Sequence, residues 1–219
     1  MTEELQKKLN NGRQYRNMVL ECRKAEEETE DNSSYIVKGY ATTYNEPYTL
    51  FGNDEYEFRE QVSDTAFNDA DMSDVIMQYD HAGRVFARIS NKTLSLTSDE
   101  HGLLIEADLG GTEEGRKLYE EIKGGYTTKM SFGFTVDEDE VLEKNEGDKR
   151  IYLRTITKIG KLFDVSAVSL PANDMTEISA RAFCDGVIAE AEAERLLEAE
   201  NIRKKKLLEL ELRLMEVSE

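Results

Sequence analysis

Between residues 35 and 170 the chain repeatedly alternates apolar and polar residues, the period of strands that bury one face. This pattern predicts strands at Tyr35–Tyr44, Val75–Tyr79, Val85–Ile89, Thr93–Thr97 and Leu103–Leu109. Further strands are predicted at Lys129–Val136, Ile151–Ile159 and Leu162–Leu170, with Asp99–Gly102 turning the chain between two of the earlier ones. One helix is well signalled: Thr112 can cap it, Glu113 and Glu114 suit its positive first turn, and Leu118 and Ile122 share a face. A shorter helix is expected over Asp64–Asp69. Many short antiparallel strands with few helices predict an α+β, mainly β fold: a small antiparallel barrel with helices packed outside.

The flanks differ from this middle. Residues 1–31 form a charged segment, broken by Asn10, Asn11 and Gly12 and ending in an acidic run; Met18, Leu20 and Cys22 alternate in a way that permits a strand. Residues 32–183 carry the predicted domain. Residues 184–219 read as one long helix, with Leu207, Leu210, Leu214 and Val217 recurring at helical spacing as a narrow apolar stripe. That stripe suits either a helical partner segment or packing against the chain itself, including a homodimer.

Composition narrows the function. The net charge of -18 argues against nucleic acid, because phosphate binding needs clustered Lys and Arg. Cys22 and Cys184 are the only cysteines and lie far apart, which argues against a disulfide framework and favours a reducing compartment. No stretch approaches the ~20 apolar residues that span a bilayer, and the N-terminus lacks the apolar core of a secretory signal. A soluble intracellular protein is expected. With two histidines, no HExxH and no CxxC, neither a metal nor another cofactor is expected.

Those two histidines also limit the candidates for a general base. His101, in SDEHGLL, falls in a solvent-facing turn and needs no special role. His81 follows the apolar run VIM and sits between two predicted strands, where a rigid scaffold can present a base. Ser131 lies in TTKMSFGF: on a strand, Met130, Phe132 and Phe134 face a core, while Ser131, Gly133 and Thr135 form a small face that an extended peptide can approach. A serine hydroxyl needs a base within hydrogen-bond reach to act as a nucleophile, and spacing alone leaves Ser131 equally readable as a small sheet residue. Asp164, in KLFDVSAVSLPAN, shares a face with Ser166 and Val168. It can orient an imidazole or simply pair with a surface Lys or Arg. Asp80 is a poorer orienter of its neighbour His81.

The stretches VKGYATTYN (37–45), FREQVSDTAF (58–67), DHAGRVFAR (80–88), HGLLIEADL with the helix after it (101–123), KMSFGF (129–134) and DVSAVSLPAND (164–174) resemble, in this order, the prohead proteases of HK97-like tailed phages. The resemblance covers about residues 35–180. It implies the fold of the herpesvirus assembly proteases, a small antiparallel barrel surrounded by helices, and a serine endopeptidase. By motif, His81 becomes the base and Ser131 the nucleophile, with Asp164 matching an acidic third member. A second histidine in that role is ruled out, since none follows position 101. The implied substrates are the scaffolding segment of the major capsid protein and the protease itself, met inside the assembling prohead in the host cytoplasm. Ala82 departs from relatives that carry an acidic residue after the histidine, and the charged stretch 137–150 reads as an inserted hairpin. The competing reading is a scaffold that retains the fold without catalysis. A cysteine hydrolase is a third class, which would make Cys184 sensitive to alkylation.

Overall fold

A computed structural model describes residues 13–18, 23–24, 35–169, 186, 189, 193–206 and 209. Its strands are β1 (Gln14–Met18), β2 (Arg23–Lys24), β3 (Ile36–Thr43), β4 (Tyr48–Gly52), β5 (Tyr56–Val62), β6 (Ile76–Tyr79), β7 (Ala82–Arg88), β8 (Leu94–Ser98), β9 (Gly102–Asp108), β10 (Lys129–Glu146) and β11 (Lys149–Val168). Helix α1 spans Glu113–Lys123.

The predicted strands are present, but they do not close into an antiparallel barrel. They form a seven-stranded sheet with the path β1-β10-β11-β5-β4, to which β6 and β7 attach through β11, and a four-stranded sheet in the order β2-β3-β9-β8. The larger sheet is mixed. Strand β11 runs antiparallel to β10 along one edge, and its other edge takes β5 and β6 in parallel. Because β11 is 20 residues long, its two halves serve these two parallel partners separately. The strands predicted at Ile151–Ile159 and Leu162–Leu170 are one continuous strand, and the charged stretch before them is the exposed end of the β10–β11 hairpin, turned at Gly147. The β4–β5 hairpin was not signalled. Asp64–Asp69 is a run of turns rather than a helix: Ala66, Asn68 and Ala70 each donate to the carbonyl three residues back.

The core lies between the sheets. From the small sheet come Val37, Ala41, Leu103, Ile105 and Ala107; from the large one come Met130, Phe132, Phe134, Ile156, Ile159, Leu162, Val165 and Ala167. Phe132 and Phe134 stack with ring centroids 4.6 Å apart and have no exposed surface. Burying side chains of this size contributes about 1.5–3 kcal/mol each. Helix α1 adds Leu118, Tyr119 and Ile122, and the Thr112 side chain caps it by accepting from the Gly115 N–H at 2.9 Å.

Gly102 opens β9 where β3 carries an irregularity between Tyr40 and Thr42. A Cβ there would run into the Thr42 carbonyl, backbone that has no rotamer with which to yield. Gly102→Ala is expected to cost about 1–3 kcal/mol of stability, measured by urea unfolding.

Residues 193–206 are helical. The stripe of Leu207, Leu210, Leu214 and Val217 lies outside the described residues, as do Cys22 and Cys184. Among the described residues no helix is long and apolar enough to cross a membrane.

Candidate active site

Strands β6 and β7 are joined by two residues, Asp80 and His81, with Tyr79 paired to Ala82 across the turn. Both turn residues have positive φ, 50° and 56°. Tight two-residue hairpins favour this left-handed geometry, and Asp and His tolerate it better than most residues. His81 therefore stands at a hairpin tip rather than at the end of a strand. The turn is tied down by Asp80: its N–H donates to the Ala167 carbonyl at 2.9 Å, and its carboxylate accepts from the Ser169 N–H and hydroxyl, both at 2.8 Å. Asp80 does not touch the imidazole. Instead, it fastens the tip carrying the imidazole to the end of β11, a role that adjacency in sequence did not reveal.

The other two candidates lie on neighbouring strands beneath this tip. Ser131 on β10 pairs with Ser166 on β11, and Gly133 pairs with Asp164. Strand alternation puts Ser131 and Gly133 on one face and sends Met130, Phe132 and Phe134 into the core, as the sequence predicted. His81 Nε2 lies 2.6 Å from Ser131 Oγ, and its Nδ1 lies 2.5 Å from Asp164 Oδ1. Asp164 is 1% exposed. The reading of it as an exposed strand carboxylate is thereby set aside. Its Oδ1 also accepts from the Ser166 hydroxyl at 2.8 Å. Since an ionised carboxylate can only accept, the Nδ1 proton belongs to His81, which leaves Nε2 free to accept the serine proton.

Gly133 makes the arrangement fit. A Cβ at this position would strike Asp164 Oδ2 and the Tyr15 ring, so the absent side chain is the space that the carboxylate occupies. The small face expected to leave room for a peptide in fact makes room for the imidazole and its carboxylate. His101, the second histidine, is exposed in the turn at Asp99–Gly102 and packs edge-on against Tyr40.

The outer edge of β10 is taken by β1, a strand from the charged N-terminal segment, and no pattern within that segment encodes this pairing. Strand β1 pairs antiparallel there, with Asn17 opposite Ser131 and Tyr15 opposite Gly133. Tyr15 packs on the His81 ring at 4.4 Å, and the Arg16 carbonyl accepts from Ser131 Oγ at 3.0 Å. Ser131 is left with no exposed surface. The Arg16 side chain turns into the protein and makes a two-pronged ion pair with Glu60, which is fully buried. Glu60 also accepts from Arg154 at 2.8 Å and from the Tyr48 hydroxyl at 2.6 Å, and Arg154 reaches on to Asp139 at 2.5 Å.

Burial by itself would raise the Glu60 pKa, but the Arg16 charge and hydrogen bond, helped by Arg154 and Tyr48, outweigh it and hold the group at about 2. A carboxyl depressed from 4.5 in this way contributes stability that is complete above about pH 4.5 and is lost as pH falls toward 2. Between pH 7 and pH 2 the wild type is expected to lose up to about 3 kcal/mol more than Glu60→Gln, measured by denaturant unfolding at each pH.

No curated protein and no solved structure matches the chain. A family model described as caudovirus prohead serine protease matches residues 20–186, a span that holds His81, Ser131 and Asp164 and begins after β1. With most of its length covered by that match, the chain belongs to the caudovirus prohead serine protease family, the capsid-maturation proteases of tailed phages.

Proposed function

We propose that this protein is a serine endopeptidase in which Ser131 is the nucleophile, His81 the general base and Asp164 the residue that orients His81 and stabilises its charged form. We further propose that its substrates are the scaffolding segment of the major capsid protein and the chain itself. The observation that supports this reading is the unbroken relay from Ser131 Oγ through both imidazole nitrogens to a buried carboxylate.

The chemistry follows from the relay. His81 Nε2 takes the Ser131 proton as Oγ bonds to the scissile carbonyl carbon. The imidazolium then passes that proton to the leaving amine as the C–N bond breaks. Water next attacks the acyl-serine, giving one proton to His81, and Ser131 recovers its proton as the acyl group departs. General-base help of this kind is worth about 10²–10⁴-fold. Asp164 holds the ring in the required tautomer and stabilises its charged form, and its burial beside Gly133 fixes that orientation.

Coexpression with the major capsid protein tests the assignment. Wild type is expected to shorten the capsid protein by its scaffolding segment, and Ser131→Ala to leave it full-length. Equal cleavage by both would remove Ser131 from the mechanism. Cleavage by neither, with the chain still incorporated into proheads, would favour a scaffold without catalysis.

A further inference from the structure

We propose that β1 is a tethered occupant of the substrate groove: the outer edge of β10 is where a substrate strand adds, and buried Glu60 selects a substrate with Arg or Lys in the place of Arg16. The inference rests on the serine peptidase reading and extends it to the identity of the peptide.

Three observations converge on it. First, the strand edge nearest the nucleophile is already covered by an extended peptide, residues 14–18, in antiparallel register with Met130–Phe134. Adding a strand to a sheet edge is a general way of holding an extended peptide, since the main-chain ladder gives affinity and the side-chain pockets give selectivity. Second, Ser131 is fully buried and its hydroxyl donates to the Arg16 carbonyl. On this reading, a substrate reaches this serine by displacing β1. The contact is a resting one, because the carbonyl oxygen rather than its carbon meets the hydroxyl, and the donated proton is the one His81 must take. Third, the family match begins at residue 20, so β1, Gln14–Met18, lies just outside the matched span.

The pocket sets the chemistry of the occupant. Arg16, Glu60, Arg154 and Asp139 form a chain of two guanidinium groups and two carboxylates. Among the described side chains of this chain of ion pairs, removing Arg16 leaves Glu60 and Asp139 against Arg154, with Glu60 still fully buried. A neutral side chain in that place strands a buried charge, whereas a cationic one restores the balance. In an arriving peptide, the carbonyl of this basic residue faces Ser131, so the bond cut is the one on its carboxyl side. Oγ bonds to that carbonyl carbon, the Ser131 proton moves to His81 Nε2, and the following residue's nitrogen leaves with it.

The test uses the full chain carrying Ser131→Ala, so that it requires no cleavage. A fluorescent peptide of sequence RQYRNM, matching residues 13–18, is titrated by anisotropy, with circular dichroism confirming the fold. Adding Arg16→Ala to the chain is expected to tighten peptide binding roughly tenfold by loosening the tethered competitor. Gln at the peptide's fourth position is expected to weaken binding to that chain roughly tenfold, and Glu60→Gln in the chain to erase the difference. If Arg16→Ala does not fold, Arg16→Lys decides the matter with a smaller gain in the same direction. Equal binding of the Arg and Gln peptides to a folded variant, or no gain on loosening β1, overturns the proposal. Since binding is read without catalysis, a failure here with capsid cleavage intact sinks the groove assignment alone. The binding pattern with no cleavage by wild type sinks the peptidase reading alone.

Discussion

Ser131→Ala is expected to lower the rate of peptide-bond cleavage by about 10⁵–10⁶-fold, with His81→Ala costing nearly as much and the double variant no slower than Ser131→Ala alone. The lack of additivity is the informative part. The imidazole acts only by taking the proton of the Ser131 hydroxyl, whose oxygen lies 2.6 Å from its Nε2, so once the hydroxyl is gone there is nothing left for it to do. Independent contributions would multiply instead. The measurement is kcat and KM for a synthetic peptide in all three variants. If the double variant were slower than Ser131→Ala by the full His81→Ala factor, the two residues would not form one unit. The folds should survive, because Ser131 sits on the face of β10 opposite the stacked pair Phe132 and Phe134.

Asp164→Asn is expected to cost about 10⁴-fold in kcat with little change in KM. The amide is nearly the same size, so the space beside Gly133 stays filled, yet it can present an N–H toward His81 Nδ1. The ring would then carry its proton on Nε2, where it cannot accept from Ser131. Ser166 sharpens the experiment. Its hydroxyl donates to the same Asp164 oxygen and takes no part in the bonds from the imidazole to Ser131 and Asp164, so Ser166→Ala is expected to be far milder, within about tenfold. A kcat for Asp164→Asn close to wild type would reduce Asp164 to a structural carboxylate. A KM rise with kcat held would place it in substrate binding.

Much of this was legible in the residues because a strand's period of two is local. Met130, Phe132 and Phe134 point one way whatever the partner strand, and Ser131 and Gly133 therefore point the other. Thr112 and the two glutamates after it set the start of α1 by chemistry confined to one turn. The helix expected at Asp64–Asp69 failed for a related reason. The segment closes three separate turns, through the N–H groups of Ala66, Asn68 and Ala70, and gains too little from propagation to become an α-helix.

From sequence alone came the mainly β composition, the core face of β10 and a short set of candidate residues, with His81 and Ser131 among them, because each depends on patterns within one segment. Only the tertiary structure decided which strands pair and in what sense. The parallel docking of β5 and β6 on β11 joins residues 94 and 88 positions apart, and no local period encodes it. The fold likewise brought His81 to Ser131 and Asp164, gave Asp80 its anchoring bonds, and laid β1 over the serine with Arg16 on Glu60. Long-range register sets each of these contacts, and register is a property of the assembled sheet rather than of any one strand.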